Sequence, residues 1–128
     1  RRQRQMCIRD RVPAAEGLLA AGVRHLAVIH FPEGALALKR GNPPVYAPSC
    51  RMERAEIIGS TGAGDAFAAG VLYGLHEDLP LHEALELGSA SSRFNLLSPT
   101  ASDGAVSLET MRNYLKECEF TPVPEIFR

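Results

Sequence analysis

The sequence predicts an α/β layered fold, and three observations carry that expectation. Strand-like and helix-like segments alternate over the first half of the chain. Helical periodicity dominates the second half. Between the two, a glycine-rich turn joins an apolar run to an amphipathic helix.

Each element follows from local chemistry. Pro13–Gly22 reads as a helix, with proline suited to its first turn, alanine and leucine filling it, and Gly22 as the C′ stop. His25–Phe31 is a mostly apolar run with the character of a buried strand. Pro32-Glu33-Gly34 is turn chemistry, and Ala35–Lys39 reads as a second strand leading to a hairpin-like turn at Arg40–Pro44. Val45–Pro48 and Glu56–Ile58 are short extended candidates. From Gly64 the pattern turns helical, with Phe67, Gly70/Val71 and Gly74/Leu75 on one face. Ala66, Ala69, Gly70 and Gly74 are small enough to let that helix approach its neighbours closely. A second helix starts near Pro80, and a third carries Leu108, Met111, Leu115 and Cys118 behind a Ser107 N-cap. The strands are too few and too short for a full sheet, so the chain is expected to be one portion of a larger fold.

Composition narrows the function classes. Of 128 residues, 45% are hydrophobic and 23% charged, with a formal net charge of −1, so neither a nucleic-acid surface nor a membrane span is expected. Three cysteines (Cys7, Cys50 and Cys118) at wide spacing argue against a disulfide framework and against zinc, and fit a reducing cytoplasm. His25, His30, His76 and His82 lack metal-ligand spacing and are expected to be structural or surface residues. Residues 1–11 are expected to be a non-native or disordered leader. Met6–Arg11 resembles the translation of a transposon end used in sequencing-library preparation, which would put the native start near Val12. The competing reading is a genuine basic N-terminal tail.

The chemistry sits in Ile57–Phe67. Gly62 and Gly64 permit backbone conformations closed to other residues and leave room for a ligand against the main chain. The free N–H groups of the following helix start, with its dipole, form an anion site. A turn of this kind can also be a tight connection and nothing more. The two better-known phosphate loops are excluded: Asp65 stands where a Walker loop needs lysine, and Phe67 where the dinucleotide fingerprint needs its third glycine. An acidic residue beside phosphates makes sense as a general base that takes the proton of an attacking hydroxyl.

Ser60–Gly70 resembles the second signature of the ribokinase (PfkB-type carbohydrate kinase) family, D-T-x-G-A-G-D-x-F-x-x-G. Leu81–Ser92 is similar to the family's following helix, and Asp103–Ser107 to its late G-A-x-x-S loop, so the resemblance covers about Val12 to Leu115. It implies a ribokinase-like three-layer (Rossmann-like) α/β sandwich, of which residues 12–128 would be the C-terminal portion alone. It also implies a cytoplasmic phosphotransferase that moves the ATP γ-phosphate to a hydroxyl of a sugar or related small molecule. Asp65 would be the base, and the main chain of Gly62, Ala63 and Gly64 the anion hole. Thr61, Gly34, Ser92, Asn95 and Gly104 would serve the nucleotide or cation sites, with adenine between the Gly34 turn and the helix of Ser91, Ser92 and Asn95. Magnesium would be shared with the phosphates, and no protein metal cage is expected. Gly104 and Ser107 lie where many members bind a monovalent cation, but Gly59 replaces the signature's first aspartate, which argues against potassium activation. Ile29 and Phe31 replace the threonine and first glycine of T-x-G-x-x-G. The alternatives are a nucleoside or vitamin kinase of the same fold, or an inactive nucleotide-binding regulatory protein; a dinucleotide-dependent oxidoreductase is disfavoured by the broken fingerprint. A homodimer is left open for the full-length protein, and the isolated piece is expected to be inactive and poorly stable.

Overall fold

The structure is a computed structural model that describes residues 8–127. The first helix, α1 (Ile8–Ala20), begins five residues before the expected proline start and carries Pro13 inside it. It thus runs through the boundary expected at Val12, while residues 1–7 lie outside the described residues. Gly22 ends it with φ 122°, a left-handed geometry that suits glycine.

Three strands follow as antiparallel hairpins in the order β1 (Leu26–Phe31), β2 (Gly34–Lys39), β3 (Val45–Pro48). The Pro32-Glu33 link is too short for anything but a hairpin, and Phe31 pairs with Gly34 across it. Glu56–Ile58 does not form the strand its sequence suggests. A single 3-10 turn over Arg54–Glu56, closed by the Glu53 N–H donating to the Glu56 carboxylate at 3.0 Å, precedes irregular chain. The Ile58 and Gly59 N–H groups donate to the Leu96 carbonyl, so this segment finds its acceptor at a helix end and has no strand partner.

Alternation along the strands builds two cores. Ala27, Phe31, Leu36, Leu38 and Tyr46 face α1, where they meet Ala15 and Leu19. Ala35, Ala37 and Ala47 face the other way, against Phe67, Val71 and Leu85 of two later helices. Helix, sheet and helices therefore form three layers, and the small alanines on one face let the second helical layer sit close to the sheet.

That layer is α2 (Ala63–His76) against α3 (Leu81–Leu96). Close approach dictates its sequence: a Cβ on Gly70 would stand 2.7 Å from the Gly88 Cα, and one on Gly74 2.5 Å from the Ala84 Cβ. Helix α4 (Leu108–Glu117) follows, capped as expected by the Ser107 hydroxyl, which accepts from the Thr110 N–H at 3.1 Å.

One expectation about cysteine is corrected here. Cys50 and Cys118 form a disulfide with Cα atoms 5.6 Å apart. An odd count and a 68-residue separation hid it, because sequence spacing says nothing of what the fold brings together. The chain after β3 pairs with the chain after α4, Arg51 N–H to Glu119 carbonyl at 2.7 Å and Thr121 N–H to Ser49 carbonyl at 2.8 Å, and the two sulfurs meet inside that pairing. Among the described residues, no helix is long and apolar enough to cross a membrane.

Candidate active site

Gly62 adopts φ 83° at the N-cap of α2, the left-handed region that favours glycine, and a Cβ there would also press on Ala101 at 3.0 Å. The consequence is a set of outward-facing donors. The Ala63 N–H closes onto the Ser60 carbonyl at 3.2 Å, and the first donor returned to the turn itself is that of Ala66, onto the Gly62 carbonyl at 2.8 Å. Among the described residues, the N–H groups of Gly62, Gly64 and Asp65 have no acceptor. A Cβ on Gly64 would meet nothing within 4 Å, so the space over those donors is open. Asp65 lies exposed in the first turn of α2, next in the chain to Gly64, and is not among the residues that line the cavity described next.

Ala63 and Gly64 lie at one end of a cavity of about 750 Å³. One wall is the β1–β2 turn, His30 to Glu33; the other is Arg51 to Glu53 with Ile57. Ser92, Arg93 and Leu96 of α3 form the back, and Thr121 and Pro122 of the C-terminal segment close a side.

Arg93 holds these walls together. It is buried at 7% exposure, donating from Nε to the Cys50 carbonyl at 2.8 Å and from Nη2 to the Pro32 carbonyl at 2.9 Å. Burial pulls its pKa below the usual guanidinium value. A buried cation held by carbonyl oxygens leaves its positive field in the cavity that it lines. Beside it, His30 stacks flat on Phe67 with ring centroids 3.9 Å apart, and its buried Nε2 has no hydrogen-bond partner among the described residues. Burial first, and the Arg93 charge second, lower the His30 pKa from 6.5 to about 4, so the imidazole is neutral.

The structure distributes the sequence candidates unevenly. Gly62, Ala63, Gly64 and Asp65 come together at the head of α2, with exposed Thr61 beside them, and Ser92 lines the cavity. Gly34 sits beneath the wall, its missing Cβ replaced by the Ala47 carbonyl and the Tyr46 hydroxyl at 2.6 and 2.7 Å. Asn95 is buried at 4% exposure and donates from Nδ2 to the Ala101 carbonyl at 2.8 Å; through Ala101 it supports the Gly62 turn from behind. Gly104 packs against the end of α3, where a Cβ would lie 2.5 Å from the Phe94 carbonyl. Gly59, in the place of the signature aspartate, faces the Ser98 carbonyl at 2.8 Å, so a side chain there would collide. Sequence reading missed Arg93. Its only signal was an arginine directly after a small-residue stretch, Gly88–Ser92.

Comparison with known proteins settles the family. The description "pfkB family carbohydrate kinase" matches residues 5–107. The chain belongs to that family. A pfkB relative, the 2-dehydro-3-deoxygluconokinase of Bacillus subtilis (strain 168), is 30% identical over 101 residues, which are 79% of this chain and 30% of the relative. Ribokinase from Thermotoga maritima superposes with a TM-score of 0.70 at 23% identity over 82% of this chain and 34% of its own. Ribokinase from Cryptococcus neoformans in complex with ADP does so at 0.66 and 20% identity, over 80% and 35%. These likenesses make the fold ribokinase-like, as the signature implied. The chain spans about a third of the length of these pfkB proteins.

Proposed function

We propose that this chain carries the nucleotide site and the catalytic base of an ATP-dependent sugar kinase, as the C-terminal part of a larger polypeptide. The observation that supports this most is the head of α2, where backbone donors without an acceptor among the described residues and the exposed Asp65 fall within four consecutive residues, two of which, Ala63 and Gly64, line a cavity with room for a nucleotide. The donors at Gly62, Gly64 and Asp65 would receive the oxygens of a transferring phosphoryl group, whose charge grows in the transition state. Among the described residues the Asp65 carboxylate has no hydrogen-bond or ion-pair partner, which would leave it available to take the proton of the acceptor hydroxyl as that oxygen attacks. The adenine end would lie along the β1–β2 turn and Ser92, with Arg93 behind. Among the described residues no group of three or more His, Cys, Asp or Glu gathers. Magnesium would therefore enter on the phosphates, where it neutralises charge during transfer.

The name of the Bacillus relative makes 2-dehydro-3-deoxygluconate the first acceptor to test, followed by other sugars, sugar acids and nucleosides. ADP release from Mg-ATP would be followed for the complete polypeptide that carries this chain, with Asp65→Asn beside it. Turnover with one acceptor class, lost by roughly two to four orders of magnitude in Asp65→Asn while ADP still binds, is the expected result. A protein that binds ADP yet turns over no acceptor would favour the regulatory reading, which the altered positions Gly59 and Phe31 motivate. Residues 12–128 expressed alone are expected to show no turnover.

A further inference from the structure

One wall of the cavity and the segment that closes its side are covalently joined through a bond that the kinase chemistry does not use. Arg51, Met52 and Glu53 directly follow Cys50, and Thr121 and Pro122 follow Cys118 by a few residues; all five line the cavity. The same strap is tied to the rest of the site at both ends. The Cys50 carbonyl accepts from Arg93, and the Thr121 hydroxyl donates to the Glu33 carbonyl at 2.5 Å. Cys50 is wholly buried, whereas Cys118 is partly exposed at the end of α4.

We propose that Cys50 and Cys118 form a reversible thiol–disulfide exchange site for small-molecule disulfides of the glutathione class, whose state sets nucleotide affinity. The asymmetry in exposure orders the steps. In the reduced protein the Cys118 thiolate attacks one sulfur of the small disulfide, forming a mixed disulfide and expelling one thiolate. The Cys50 thiolate then attacks the Cys118 sulfur and expels the second. The protein dithiol loses two electrons, the small disulfide gains them, and the two thiol protons pass to the leaving thiolates. With the bond closed, residues 51–53 and 121–122 are held as walls before the nucleotide arrives. With it open, the two backbone hydrogen bonds and the Arg93 and Thr121 contacts remain to hold them without the covalent tie, and binding must order them further. Residues on either side of the cavity thus report the redox state of the medium.

The effect on nucleotide rests on the kinase reading above; the effect on the strap does not. The test uses the complete polypeptide with Cys7→Ser, equilibrated in glutathione buffers from reducing to oxidising. Three quantities are read: the Cys50–Cys118 cross-linked peptide by non-reducing peptide mapping, ADP affinity by calorimetry, and the rate of trypsin cleavage after exposed Arg51. Oxidation is expected to yield the cross-link, tighten ADP binding by roughly three- to tenfold and slow that cleavage. Cys118→Ser, at the more exposed position and hence the safer variant for folding, is expected to behave like the reduced protein at every poise, and Cys50→Ser likewise. A cross-link that never forms, or one that forms with affinity and cleavage unchanged, overturns the proposal. If ADP binds in neither state, the kinase reading fails alone, and slower cleavage on oxidation still supports the strap, whereas unchanged cleavage removes it.

Discussion

The head of α2 and the wall around Arg93 serve one cavity but are built on opposite plans. At the head of α2 the working groups are backbone N–H donors within a few consecutive residues, and the side chains matter chiefly by being absent. At the wall the working groups come from the β1–β2 turn, the chain after β3, α3 and the C-terminal segment; the Arg93 guanidinium joins the first three, and Thr121 ties the last to Glu33. A backbone device can be read from a short string of residues, while a device assembled from four segments cannot. The same contrast says where mutation should act: on chemistry at the first, on binding and shape at the second.

Gly64 sharpens that division most. Its Cβ direction is open, so the side chain of Gly64→Val starts in free space over the anion donors. A fall in kcat/KM of about a hundredfold or more is expected, the scale of losing oriented transition-state donors, with a melting temperature close to that of the parent. A melting temperature that drops along with activity would show that the turn is chiefly structural.

Arg93 tests the other plan. Arg93→Ala leaves one buried and one partly buried carbonyl without donors, and a loss of about 2–4 kcal/mol in stability is expected, with a raised KM for ATP and a smaller change in kcat. Arg93→Lys should not restore the wall, because an ammonium lacks the planar fork that spans both carbonyls. Equal damage to kcat and KM would mean that Arg93 touches the reacting phosphate itself.

Legibility followed the same line. The glycine signature and the Ser107 cap were in the sequence, since each rests on neighbours within a few positions, and the three-layer order was legible through the family resemblance that the signature carries. Arg93, the Cys50–Cys118 bond and the supporting role of Asn95 were not, since each depends on segments from 6 to 68 residues away. Glu56–Ile58 misled for a related reason: its apolar residues follow a strand pattern, but the nearest acceptor is the end of α3.

His30 gives a smaller effect that still separates wall from turn. Its pKa falls from 6.5 in the ordinary state to about 4 in the fold, chiefly through burial and then through Arg93. Between these values the unfolded chain binds the additional proton, so this contribution is whole above about pH 6.5 and is lost as pH falls toward 4. The loss should be about 1–2 kcal/mol, discounted for the ring's partial exposure. His30→Phe keeps the stack on Phe67 and should flatten that part of the stability–pH curve, measured by urea denaturation from pH 7 to pH 4.

Ser107→Ala should have the smallest effect, and its value is as a reference. The hydroxyl caps α4 and takes no part in lining the cavity, so its removal should cost about 1 kcal/mol of stability and leave the KM for ATP unchanged. Yet α4 leads directly into Cys118 and the strap that closes the cavity. If the fraying of α4 spread along that connection, Ser107→Ala would raise KM, and it would do so more in reducing than in oxidising buffer. An unchanged KM in both buffers would show that the pairing of Ser49–Arg51 with Glu119–Thr121 isolates the cavity from the helix that feeds it.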